Sequence, residues 1–156
     1  MTTNTQLSSL DIKPKQVKPF LKWAGGKSQL LGQFDKYYPV ELKQGQIDRY
    51  IEPFVGGGAV FFHVAHKYNI RTAYLYDINP ELIVALKTVQ KAPFKLIEQL
   101  NEISSKYKSL SRDARKDFFY ETRTEYNAYR HQLDYEFYSE EWIPRAVQFI
   151  FLTGLV

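Results

Sequence analysis

Tyr50-Ile51-Glu52-Pro53-Phe54-Val55-Gly56-Gly57-Gly58-Ala59-Val60 is the stretch on which the fold turns. Arg49 to Val55 is short, apolar and β-prone, and it runs straight into three glycines. Ala59 to Tyr68 reads as a helix with Val60, Phe61, Val64 and Ala65 on its inward face. Thr72 to Tyr76 alternates as a second strand does, and Asp77 stands at its C-terminal end. Asn79 is placed to cap the next helix, and Pro80 takes its first position, where a missing N–H costs nothing. Leu82, Ile83, Leu86 and Val89 supply that helix with an apolar face. Strand, glycine loop, helix, strand and acid, in this order, open a doubly wound α/β sheet.

The same order suggests chemistry. Glycines between a strand and a helix allow a tight turn and let the backbone come close to a ligand. An acid about 20 residues later, at the end of the next strand, accepts hydrogen bonds from ribose hydroxyls. Asp77 fits that position, although a solvated or helix-capping aspartate would look the same from sequence. The dinucleotide fingerprint asks for a small residue where this chain has Phe61, so NAD and FAD match poorly. Gly25-Gly26-Lys27-Ser28 only imitates a phosphate-binding P-loop, because its first glycine position is Leu21. A methyl donor remains. S-adenosylmethionine has no phosphates and needs anchors for its ribose and carboxylate, with apolar or aromatic walls. Lys27 would hold the carboxylate, and Trp23 or Phe54 would pack on the ligand.

Met1 to Lys18 is polar and reads as a mobile tail. Gly26 to Phe34 reads as a helix capped by Ser28, with Leu30, Leu31 and Phe34 on one face, and Tyr37-Tyr38-Pro39 breaks it. After Pro93 the character changes. Phe94 to Tyr107 and Ala114 to Tyr129 are amphipathic helices, His131 to Glu141 is an acidic, aromatic loop, and Trp142 to Leu152 is an apolar helix. The division is therefore a tail over 1–18, an α/β part over 19–92 and a helical part over 93–156. Phe149 onward is apolar to the last residue, which reads as a domain cut short with an exposed apolar tail. His63 and His66 stand at i, i+3 without a nearby acid, so no metal site is expected; His131 is isolated. Phe118, Phe119, Tyr120 and Tyr126 fit core packing, and Arg112, Arg115, Lys116, Arg123 and Arg130 fit a solvated face.

The bulk numbers suit one soluble globular domain: 156 residues, 44% hydrophobic, with a mean hydropathy of -0.40. Aromatics at 16% fit either a core or surfaces on which bases stack. The net charge of +4 lies essentially before Tyr50, a pattern that suits a polyanionic partner. With no cysteine there is neither a disulfide framework nor a thiolate metal site, which is compatible with the cytosol. No leader and no membrane span is visible, so a cytoplasmic protein is expected.

Phe20-Leu21-Lys22-Trp23-Ala24-Gly25-Gly26-Lys27 resembles the N-terminal cofactor motif of the Dam-type (D12 class) DNA adenine-N6 methyltransferases. Glu52-Pro53-Phe54-Val55-Gly56-Gly57-Gly58 is similar to their main S-adenosylmethionine motif, and Asp77-Ile78-Asn79-Pro80-Glu81-Leu82 to the acidic motif after the second strand. Phe119 to Asn127 resembles a helical stretch that they share, and the likeness runs from about Pro19 to Leu152. The resemblance implies a Rossmann-like methyltransferase fold, incomplete in this chain, with part of a helical DNA-binding domain. It implies S-adenosylmethionine as cofactor and duplex DNA as partner, with methyl transfer to adenine N6 after the base is flipped out. Trp23, Gly25, Gly26 and Lys27 would contact the cofactor, Glu52, Phe54, Gly56 and Gly58 would line the pocket, and Asp77 would hold the ribose.

One departure matters. The family carries an Asp-Pro-Pro-Tyr motif that holds and stacks the adenine, and this sequence contains no Pro-Pro. No catalytic residue is therefore assigned, and the chain alone is expected to be inactive. Two other readings stay open: a non-catalytic remnant that binds DNA or a partner, and one half of a split enzyme completed by a complementary catalytic chain.

Overall fold

The computed structural model describes residues 19–21 and 27–154. In chain order these form a 3-10 turn (Lys27–Leu30), α1 (Leu31–Phe34), α2 (Val40–Lys43), β1 (Arg49–Glu52), α3 (Ala59–Lys67), β2 (Thr72–Leu75), α4 (Pro80–Lys91), α5 (Pro93–Ser109), α6 (Arg112–Ala128), a second 3-10 turn (Tyr129–His131) and α7 (Trp142–Leu152). β1 and β2 pair in parallel, with Arg49 opposite Thr72 and Glu52 opposite Leu75. The crossover between them is α3, as parallel strands require.

Local chemistry explains most boundaries. β1 ends at Glu52, short of the expected Val55: the next N–H to reach the Tyr76 carbonyl comes from Val55, so the regular register is lost after Glu52. α4 begins as its sequence predicts: the Asn79 side chain accepts the Glu81 N–H at 3.1 Å, and Pro80 occupies the first turn. Ser111 caps α6 by accepting the Ala114 N–H at 3.3 Å, which starts that helix two residues before the expected Ala114. Ser28 is not a helix cap; it lies inside the first 3-10 turn, and Leu30 precedes α1. α7 stops where Gly154 adopts a left-handed φ of 84°, with its N–H bonded to the Phe151 carbonyl at 3.1 Å.

The main core lies among the helices. Leu82, Val84 and Ala85 of α4, Leu96 of α5, and Trp142, Ala146, Val147, Phe149 and Ile150 of α7 form one buried cluster that Leu21 joins. α4 contributes a rotated face: Val84, Ala85 and Thr88 are buried, whereas Ile83, Leu86 and Val89 are only half-buried. Ala65 of α3 is exposed rather than inward, and Ala59 and Val64 are the buried residues of that helix.

Among the described residues, the apolar stretch from Phe149 is not an exposed tail. Phe149, Ile150 and Phe151 are buried, because α7 is the helix that α4, α5 and α6 all pack against. Phe151 meets the rings of Tyr107 and Phe118 edge-on at 5.2 and 5.7 Å, and lies 6.0 Å from that of Phe119. That accounts for the expected core role of Phe118 and Phe119, while Tyr120 is exposed. Leu155 and Val156 lie outside the described residues.

The two-stranded sheet is less enclosed. Ile51 and Tyr74 face each other in the register and are 66% and 47% exposed. Among the described residues no helix is long and apolar enough to cross a membrane.

Candidate cofactor site

The C-terminal ends of β1 and β2 bring the glycine loop and the acid together. Val55 donates its N–H to the Tyr76 carbonyl, and Tyr76 donates to the Glu52 carbonyl, both at 2.9 Å. These bonds carry the pairing past the end of the strands and hold the two loops side by side. The turn then closes with the Gly58 N–H on the Val55 carbonyl at 2.8 Å.

Two glycines in this turn have positive φ, Gly56 at 51° and Gly58 at 77°. Gly58 is required for a second reason: a Cβ there would sit 2.8 Å from Cε2 of Phe62. Its left-handed geometry starts α3 directly, so the loop is tight and its backbone is not shielded by side chains.

Asp77 is the centre of the site. Its Oδ2 accepts the Gly56 N–H at 2.9 Å, and its Oδ1 accepts the Asn79 N–H at 3.0 Å. The acid thus fastens the glycine loop to the start of α4. A carboxylate has about four acceptor positions, so among the described residues these bonds leave about two, one on each oxygen. Two free acceptors on adjacent oxygens match a vicinal diol.

Apolar surface surrounds this acid. Phe54, just before the glycines, is 71% exposed, and Ile78, just after Asp77, is 94% exposed. Among the described residues nothing covers these two large side chains, which follow the C-terminal ends of β1 and β2, and a flat apolar ligand beside the acid would do so. Sequence reasoning missed Ile78. The available signal was an isoleucine wedged between an acid and a helix cap, where no core position is due.

Glu52 is different from the other site residues. It is only 8% exposed and accepts the Tyr50 hydroxyl at 2.9 Å. Burial pushes its carboxyl above the usual range, opposed by the Tyr50 hydrogen bond, the Lys27 charge and the Phe61 backbone amide. Burial likewise raises the Tyr50 phenol, helped by the adjacent Glu52. The Glu52 carboxylate is thus engaged within the fold by Tyr50. Lys27 opens the first 3-10 turn and is exposed. Trp23, Gly25 and Gly26 lie outside the described residues.

His63 does have an acidic partner: its Nε2 lies 2.9 Å from Oδ1 of Asp35, whose Oδ2 takes Lys67 at 2.5 Å. The hydrogen bond from His63, then that from Lys67, holds the Asp35 carboxyl below its usual range. This pair ties α3 to the end of α1. No group of metal-binding side chains occurs among the described residues.

A parallel β–glycine loop–α–β unit with an acid at the second strand end is an arrangement in which α/β proteins commonly bind nucleosides. The chain belongs to the D12 class N6 adenine-specific DNA methyltransferase family, whose model matches residues 23–156. It is 43% identical over 138 residues to the Type II methyltransferase M.MjaIII of Methanocaldococcus jannaschii, covering 88% of this chain and 45% of that one. It is 34% identical over 155 residues to the DNA N-6-adenine-methyltransferase of Escherichia phage P1, 95% of this chain and 17% of that one. With the DNA adenine methylase of Haemophilus influenzae it shares 34% over 144 residues, 91% and 42% of the two chains. The chain thus spans less than half the length of each of these relatives.

Proposed function

We propose that this chain is the cofactor-binding part of an adenine-N6 DNA methyltransferase and that it holds S-adenosylmethionine at the ends of β1 and β2. The observation that carries the reading is the acceptor arithmetic at Asp77, whose two remaining positions would take the two ribose hydroxyls. Phe54 and Ile78 would cover the adenine, the Gly56–Gly58 backbone would approach the ligand closely, and Lys27, with Trp23, Gly25 and Gly26, would meet the methionine end. When bound, that cofactor supplies an electrophilic methyl group. The residues of this chain bind and orient it.

Family membership supports duplex DNA as the substrate, with residues 93–156 as the start of a helical DNA-recognition region. The uncovered apolar face at Ile51 and Tyr74 supports a larger Rossmann-like sheet, because parallel sheets are ordinarily buried on both faces. The greater length of the relatives is consistent with that. Since Asp-Pro-Pro-Tyr does not occur in these 156 residues, they bind cofactor but transfer no methyl group by themselves.

Photo-crosslinking with radiolabelled S-adenosylmethionine tests this reading. Label that S-adenosylhomocysteine displaces, and that NAD and ATP do not, is the expected result. Labelling that all three displace equally, or none at all by a folded chain, would overturn it.

A further inference from the structure

A second set of interactions begins four residues beyond the site acid. Glu81, in the first turn of α4, is buried, and its carboxylate is held by side chains from distant parts of the chain. Arg145 of α7 donates from Nε to Oε2 at 2.9 Å and from its terminal nitrogen to Oε1. The Tyr135 hydroxyl donates to Oε1 at 2.7 Å. Arg145, equally buried, also donates to the Tyr126 carbonyl of α6, and its guanidinium lies 3.5 Å from the centre of the Tyr126 ring. Burial opposes ionisation of Glu81, but the hydrogen bonds from Arg145 and Tyr135 outweigh it and hold the carboxyl below its usual range.

These bonds join the ones described above without a gap. Gly56 donates to Asp77, Asn79 donates to Asp77, Glu81 donates to Asn79, and Arg145 and Tyr135 donate to Glu81. The run starts at the glycine loop and ends in α6.

From this continuity we infer that Glu81 and Arg145 form a strut that positions Asp77 and the glycine loop relative to α6 and α7. Arg145 is a positioning residue: it acts through Glu81 and Asn79. Stability alone does not require an ion pair here, because well-packed apolar side chains commonly replace a buried pair without loss. What the pair adds is direction. A bidentate guanidinium fixes the angle of the carboxylate, and through it the start of α4. The consequence for ligand affinity rests on the cofactor reading proposed above; the strut itself does not.

The decisive comparison is the double variant Glu81→Met with Arg145→Met, which removes both charges together. Hydrogen exchange on the ligand-free chain is the first readout. The Gly56, Asn79 and Glu81 amides should exchange about fivefold faster than in the wild type, while amides within α5 and α7 keep their protection. Unchanged exchange at those three amides, or a uniform loss of protection throughout the chain, would overturn the strut. Tyr135→Phe removes a single hydrogen bond and decides the matter if the double variant does not fold: it should show the same three amides loosened, by a smaller factor. Titration with S-adenosylhomocysteine is the second readout. Affinity should fall about tenfold in the double variant at an unchanged melting temperature, and equal affinity would overturn the inference. A wild-type chain that fails to bind this ligand would instead defeat the cofactor reading, and the exchange data would still decide the strut.

Discussion

At the scale of the residue, Gly58 and Glu52 make the clearest demands. Gly58→Ala would put a Cβ in a left-handed conformation and 2.8 Å from the Phe62 ring. The conformational term alone is about 1–2 kcal/mol, and urea unfolding should show a loss of at least that size. A variant as stable as the wild type would mean that the turn adopts another backbone. Glu52 acts in the opposite sense to most carboxylates. Its folded-state pKa is raised, so the ionised form costs stability above that raised value, and the cost disappears as the pH falls below the unfolded value near 4.5. Glu52→Gln should therefore be more stable than the wild type at pH 7, with the difference shrinking as the pH approaches 4.5. A difference that does not vary with pH would show that Glu52 is solvated and ordinary. Both glycine and acid were legible in the sequence because their signal is local: three glycines between a strand and a helix have few other uses. The burial of Glu52 was not legible, since it depends on Tyr50 and on α3 folding back over the strand.

At the scale of the element, α7 organises the molecule. Eight of its eleven residues are buried, and α4, α5 and α6 all pack on it. Ala85 and Ala146, both fully buried, let α4 and α7 approach closely. Ile150 is also fully buried, and Ile150→Ala should cost about 3 kcal/mol in urea unfolding, the usual result of leaving a core cavity. A loss below about 1 kcal/mol would mean that α7 is peripheral after all. The bounds of α7 could be read from sequence, but its place could not. An apolar helix at the end of a chain looks the same whether three helices cover it or none. For α2 the sequence offered too little: one turn between Pro39 and Gly45 has no periodicity to detect. The pairing of His63 with Asp35 spans 28 positions and leaves no local trace.

At the scale of the whole molecule, two structures meet at the start of α4: a small parallel sheet with its glycine loop, and a helical layer with the main core. The Glu81–Arg145 pair stands at that junction, 64 positions apart in sequence and so invisible before folding. Arg145→Met alone leaves a buried carboxylate without its partner and should cost about 3–5 kcal/mol, whereas the double variant with Glu81→Met should be close to the wild type. Equal losses in the single and double variants would show that the charges matter only for stability. The mixed helix-and-strand character and the family were open to sequence reading because the motifs occur in order along the chain. The coupling between the two structures was not, because it depends on which helix lies beside which.

The central claim is that Asp77, held between the Gly56 and Asn79 amides, has acceptors left for a ribose. Calorimetric titration of the wild type and of Asp77→Ala with S-adenosylmethionine tests it most directly. The wild type should bind saturably and the variant at least about tenfold more weakly, the worth of a charge-assisted hydrogen bond or more, with the variant still folded. Binding of equal strength by both would contradict it.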